Sequence, residues 1–323
     1  MAPFPDEHVI DTIPHLRALL PRTKLRWVDL RAVLNDGKTE RASRVPAALC
    51  LHLGAHTDIV LLRDGESLTA ARVEPSGRRV IRMDAVTRFA ERERERAEVA
   101  FYSVTEDQQR AMWPCLHGES TPRRLGSVAD LAAAARADEV SGVVEIEGGG
   151  ALHWVVFDSG LPTEVHAIGI PPGSAAAAAV DLLAVWHPDA EAVLYGPPRD
   201  PPPQAPAALF SLYERLVQRA GHEIAEELGT DVTRACFTAA RGELEATSPV
   251  LASFAVHRDG SVVADDAVVT RSALTDAVAA WLRAVLASAT ERGLSDADAV
   301  ARRAVEPDRH ALTAQGLVAR LHE

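Results

Sequence analysis

His52, His56 and Asp58 fall within seven residues, in the run HLGAHTD. Imidazole and carboxylate are donors that zinc takes, but a structural zinc needs three or four of them in fixed geometry. Residues 54–57 read as a turn between two strands, so the three side chains are expected to diverge and to hold no metal. Cys236, flanked in sequence by His222 and His257, is a second constellation. A thiol nucleophile needs a base within hydrogen-bond reach and a site for the developing oxyanion. Cys236 instead sits on a helix between Ala235 and Phe237, where a free cysteine packs as a small hydrophobe. Asp259, Asp265 and Asp266 lack the ligand spacing and central glycine of a calcium loop. The chain also has no Walker loop, GxGxxG, GxSxG or HExxH motif. The sequence thus nominates no catalytic residue, no cofactor-binding residue and no metal ligand, and leans away from an enzyme.

What must position any site is a chain of 323 residues, long enough for two or three domains. Its net charge of −12 is unevenly spread. Residues 1–120 carry 18 basic and 18 acidic side chains, residues 121–204 carry 4 and 11, and residues 205–323 carry 12 and 17. An acidic surface repels phosphates, so nucleic acid and anionic membranes are excluded as partners. The opening residues lack a basic segment followed by a continuous apolar one, so no secretory signal is expected. The most apolar stretch, 175–186, has twelve residues and contains Asp181, too short to span a bilayer. Three scattered cysteines suit a reducing compartment, and the cytoplasm is the expected location.

Two segments about 95 residues apart follow one plan. Residues 47–73 read AALCLHLGAHTDIVLLRDGESLTAARV and residues 142–168 read GVVEIEGGGALHWVVFDSGLPTEVHAI. Setting Asp64-Gly65 on Ser159-Gly160 also sets Gly54 on Gly149, Leu51 on Ile146 and Val60 on Val155. Short period-two runs between glycine-containing turns predict an antiparallel meander in each. The strands expected are 49–53, 58–62 and 67–73 in the first and 144–146, 153–157 and 162–167 in the second. Helices are expected before each meander, at 28–34 and 128–137 with Ser127 as N-cap, and after each, at 80–100 and 175–185. Closing strands follow at 99–102 and 192–195. The alternating run ERERER at 91–96 reads as a solvated helix face, with a charged docking surface as the alternative.

The predicted fold class is α+β, two related modules with small antiparallel meanders and helices, then a mainly α-helical domain with one β-hairpin. The domains are 1–118, 119–196 and 209–323, with a proline-rich linker at 197–208 acting as a semi-rigid spacer. In the last domain the apolar spacing predicts helices at 209–224, 232–246 and 272–291, a hairpin around 254–263, and weaker helices at 295–304 and 311–321.

The second module, roughly residues 125–200, resembles the PATAN-type domain, the N-terminal domain of PatA-like response regulators. The matching positions are Leu131, Ser141-Gly142, Val144, Ile146, Gly149, Phe157, Gly160 and His166-Ala167. A looser first copy covers roughly 25–112, with Pro46-Ala47 in place of Ser-Gly and Leu62 in place of the aromatic. The resemblance implies a bacterial signalling or motility-control protein acting through protein–protein contacts, without catalysis, and supplies no catalytic residues. The expected function is a non-catalytic adaptor binding a response regulator, kinase, motor ATPase or small GTPase, with homodimerisation open. The alternatives are an enzyme of unrecognised type, around His166, His257 and Asp259, and a small-ligand sensor using the module interior.

Overall fold

The computed structural model describes residues 12–30, 45–54, 56–64, 66–74, 77–117, 121–265 and 267–321. The chain divides between Pro202 and Pro203 into two compact units, each built on its own apolar core.

The first unit contains two antiparallel sheets. One holds β1 (Arg17–Lys24), β2 (Ala47–His52), β3 (Thr57–Arg63), β4 (Glu66–Glu74), β5 (Gly77–Ile81) and β6 (Glu98–Ser103), in the order β1-β6-β2-β3-β4-β5. Helix α1 (Met83–Arg92) joins β5 to β6, and α2 (Glu106–His117) follows. The other sheet holds β7 (Arg123–Ser127), β8 (Gly142–Gly148), β9 (Ala151–Asp158), β10 (Leu161–His166) and β11 (Glu191–Leu194), in the order β10-β9-β8-β11-β7. Its helices are α3 (Leu131–Ala137), reached through a 3₁₀ turn at Val128–Asp130, and α4 (Ala176–Trp186).

The two sheets run in the same order with the same register, except that β5 has no counterpart. Leu51 lies opposite Asp58, and Ile146 opposite His153, at an offset of 95 residues. Val60 lies opposite Ala70 and Val155 opposite Val165, and the ladder slips after Leu61 in one sheet and beside Pro162 in the other. The closing strands keep step at an offset of 93, Phe101 opposite Leu49 and Leu194 opposite Val144. Even the turn residues agree, since Asp64 and Ser159 both take a left-handed backbone, φ 52° and 49°. Such a conformation is uncommon outside glycine and favours short polar side chains.

Strand alternation decides which layer each face enters. Cys50, Ile59 and Ala71 of the first sheet share a buried cluster with Val143, Trp154 and Val156 of the second, so one face of each sheet borders a common core, with α2 packed against both. Ala111, Met112 and Cys115 of α2 belong to the same cluster. The other faces carry outer helices: Val86 and Ala90 of α1 cover Leu49, Leu51 and Val60, while Ala179 and Leu183 of α4 cover Val144, Ile146 and Val155.

Several local expectations change. The helix expected over 80–100 is a strand end, then α1, then β6; α1 stops at Arg92 and 93–96 form a turn, with the Arg96 and Ala97 amides donating to Glu93 O. The like charges that a helix would stack at i,i+4 through 91–96 are thereby released to solvent. Ser127 ends β7 and donates to Asp130 instead of capping a backbone amide. The helix expected at 28–34 extends into 31–44, outside the described residues, as are Gly65 and Asp266. The proline tract is tied down on both sides: Arg199 N donates to Arg110 O, and Ala205 N to Val269 O.

The second unit contains α5 (Ala207–Leu228), α6 (Thr230–Leu244), the hairpin β12 (Phe254–Val256) and β13 (Val262–Ala264), α7 (Arg271–Glu291), α8 (Ala297–Val305), α9 (Arg309–Ala314) and α10 (Leu317–Leu321). Leu209, Leu212, Tyr213, Leu216 and Val217 of α5 meet Leu274, Val278, Trp281 and Leu282 of α7 in one core. Among the described residues no helix is long and apolar enough to cross a membrane.

Candidate functional site

The HLGAHTD side chains separate as strand geometry requires. His52 pairs with Thr57 across β2 and β3, its Nδ1 3.3 Å from Thr57 Oγ1. Asp58, one residue on, points to the opposite face of the sheet. There both carboxylate oxygens accept from Arg72, at 2.6 Å and 2.8 Å. His56 Nε2 comes within 3.9 Å of Asp58, and the Arg72 guanidinium lies 4.6 Å from the centre of the Phe89 ring. Burial, and then the positive charge of Arg72, hold the His56 imidazole below its ordinary pKa. Among the described residues no group of three or more His, Cys, Asp and Glu is placed to hold a metal ion.

The cysteine constellation does not assemble either. Cys236 is fully buried in the second unit's core, whereas His222 is 76% exposed and pairs with Glu226 at 3.3 Å. His257 lies in the β12–β13 turn, and Asp259 accepts from the Ser261 amide and hydroxyl there. His166 belongs to the first unit, at the end of β10 with Nε2 3.4 Å from Glu164.

A polar cluster that sequence reading missed lies where the two sheets meet. Arg78, from the added strand β5, forms an ion pair with Glu145 of β8 and donates to the Tyr195 hydroxyl at 3.3 Å. Glu145 also accepts from Trp154 Nε1 at 3.1 Å. Burial alone would lower the guanidinium pKa; the adjacent Glu145 carboxylate outweighs it and raises it. Burial, reinforced by Glu145, pushes the Tyr195 phenol up. The same two causes keep the Cys115 thiol protonated, and it donates weakly to Ala111 O at 3.6 Å. These groups border a cleft of about 490 Å³ whose rim carries Glu74, Glu147 and Glu191. With its carboxylate neutralised by an arginine and its thiol held protonated, the cluster is suited to joining two sheets and not to activating a nucleophile.

The third feature is a surface. Within α4, Ala179, Val180 and Leu183 are buried, yet Leu182 and Val185 on the other flank, and Trp186 in the last turn, are 45%, 75% and 44% exposed. At the 93-residue offset that aligns the closing strands, the positions of Leu182 and Val185 are occupied by Phe89 and Arg92 of α1, and that of Trp186 by Glu93, just past its end. Two positions at the end of one helix are therefore charged where those of its counterpart are apolar. A helix with one charge in eleven residues normally buries most of its apolar side chains. That signal was present in the run AAAAVDLLAVW, read in the sequence as a helix and as too short for a membrane span.

No family model, no curated protein and no solved structure matches the chain.

Proposed function

We propose that this protein is a non-catalytic adaptor that works by protein–protein contact, with a cytoplasmic location and a bacterial signalling or motility-control setting. The observation that carries the proposal is the exposed apolar residues of α4, Leu182, Val185 and Trp186, of which Val185 and Trp186 stand where the corresponding segment of the first sheet has Arg92 and Glu93. Exposed apolar area of this kind costs solubility unless a partner covers it, so a helical face is the natural docking element. The matching order and register of the two sheets support a unit written twice, with the first copy elaborated by β5 and the second left open. The likeness of residues 125–200 to PATAN-type domains supports a response regulator, kinase, motor ATPase or small GTPase as partner.

The test places a photo-crosslinking amino acid at Val185 in the full chain, inside the source cell, and identifies the covalent products by mass spectrometry. The expected product joins the chain to a protein of one of those four classes. Products with metabolic enzymes or substrates alone would remove the adaptor assignment in favour of an enzyme or sensor.

A further inference from the structure

We infer that the His153 imidazole is an acid-released latch: neutral, it holds the 167–175 loop and with it α4 on the second sheet, and protonation lets both go. The inference concerns how α4 is seated and does not depend on what α4 contacts.

His153 stands on β9 with its side chain buried, on the same side as Val155 and Phe157. The loop that joins β10 to α4 reaches this ring, and its Ile168 amide donates to Nδ1 at 3.3 Å. The Ile170 and Ser174 amides close on the loop itself, donating to Ala167 O and Pro171 O. The Ile168 bond crosses from loop to strand, and Ala167 and Ile170 on either side of it share a core with Ala179, Val180 and Leu183 of α4. The far end of α4 meets the same ring. His187, the residue that caps the helix C-terminus, stacks on His153 with ring centres 5.1 Å apart. Gly148 at the end of β8 lies so close behind that a Cβ there would be 2.7 Å from His187 Cγ. One imidazole thus touches both the loop that leads into α4 and the residue that ends it.

Both contacts require a neutral ring. To accept the Ile168 amide, Nδ1 must keep its lone pair, and a proton there sets two donors against each other. The charged ring would also find no counter-ion. The loop presents Ile168, α4 presents His187, and β8 presents Ile146 opposite and the Gly148 backbone. Of these only the Gly148 backbone favours the charged ring, without a formed hydrogen bond to Nε2. The titratable residues of the neighbouring strands, Glu145, Glu147, Glu164 and His166, pair with Leu152, Trp154 or Val156 and so face the other way. Asp130 and Arg136 about α3, Asp181 of α4 and Asp189 beyond it are exposed. A buried charge without a partner is costly, so the proton is taken up as the ring is released to water.

The experiment is hydrogen–deuterium exchange on the full chain at pH 7.5, 6.0 and 5.0, with protection corrected for the intrinsic rate at each pH. The latched ring titrates at about 4 and a released one at about 6.5. The open fraction is therefore expected to grow about thirtyfold between pH 7.5 and 5.0, and protection over residues 167–186 to fall by the same factor. Protection of β2 and β3 in the first sheet should hold. His153→Asn keeps an acceptor near the Nδ1 position and cannot take up the proton, so its protection over 167–186 should stay level. If that variant lacks the wild-type circular dichroism, the wild-type profile decides alone. A loss confined to 167–186, at about tenfold per pH unit below pH 6, supports the latch. Protection over 167–186 that does not change with pH overturns it. So does a loss shared equally by β2 and β3, or an undiminished loss in a folded His153→Asn.

Discussion

Asp58 and Arg72 face each other across β3 and β4, and the guanidinium takes both carboxylate oxygens of a side chain that is completely buried. The station matters because its counterpart in the other sheet, His153, is also polar and 2% exposed. Each sheet therefore places a polar group beneath its outer helix and satisfies it differently. Asp58 uses a strand neighbour. His153 uses the Ile168 amide, which donates to Nδ1 at 3.3 Å, and stacks 5.1 Å from the His187 ring.

Removing one partner of a buried pair strands the other charge. Asp58→Ala is expected to lower unfolding stability by about 3–5 kcal/mol, whereas Asp58→Leu combined with Arg72→Met should come within about 1–2 kcal/mol of the wild type. Urea denaturation of the three proteins checks this. A single variant as stable as the double one would mean that the pair is not desolvated as drawn.

His153 makes stability fall with acid. Burial, and then the neighbouring His187, depress its pKa to about 4, against an ordinary value of about 6.5. The folded protein binds the neutral ring and the unfolded chain binds the extra proton. Stability is thus fully present above about pH 6.5 and is lost as pH falls towards 4, by on the order of 3 kcal/mol for this one group. The measurement is the urea midpoint at several pH values between 7.5 and 4.5, for wild type and His153→Leu. The variant should show a shallower loss, and equal slopes would dismiss His153 as the titrating group.

Gly142 is held by backbone proximity. Its φ is +142°, and an added Cβ would collide with the Tyr195 carbonyl oxygen, where β8 meets the end of β11 through the Tyr195 N to Val143 O bond of 2.8 Å. Beside it, Ser141 Oγ accepts the Ser159 amide at 2.9 Å and fixes the β9–β10 turn. The Ser-Gly pair therefore has a mechanical reason. Gly142→Ala is expected to cost on the order of 3 kcal/mol from strain and overpacking together. Ser141→Ala, which loses one exposed hydrogen bond, should cost no more than about 1 kcal/mol. Thermal unfolding of both variants provides the comparison.

Much of this fold was legible because its strands alternate. The runs around Leu49–Leu51, Val60 and Val144–Ile146 keep period two, and the glycine turns fix their register. Strands β1 and β7 were not legible. The first, RALLPRTK, contains Pro21 and lies at a sheet edge with most side chains exposed, and the second, RRLGS, offers one apolar residue. They are strands because β6 and β11 present unpaired edges to them, a tertiary cause that no local window contains. Helix α2 did announce itself and was overlooked. Thr105 and Gln108 form a capping box, with the Gln108 amide donating to Thr105 Oγ1 at 2.9 Å and the Thr105 amide to Gln108 Oε1 at 2.7 Å. The Arg78–Glu145 pair was out of reach, since 67 positions separate two residues joined only by the apposition of the sheets.

The second unit should fold without the first. Its core runs from Ala205 to Leu317 and includes no residue of the first unit, and Pro203, Gln204 and Ala205 are anchored by the Arg271 and Ala205 amide bonds and the Gln204–Thr270 bridge. Trp281 is the only tryptophan beyond Pro202. It is fully buried, donates to Phe237 O at 3.2 Å and meets the Phe237 ring edge-on at 5.5 Å. A fragment of residues 203–323 is therefore expected to be helical, with blue-shifted Trp281 emission and one cooperative urea transition in the range of about 5–10 kcal/mol common to small domains. Starting the fragment at residue 209 instead removes the anchored segment, with the buried Ala205, and the first two residues of α5. It should lower the urea midpoint while leaving the emission maximum in place. A 203–323 fragment with red-shifted, non-cooperative emission would show that its core depends on residues before Pro203.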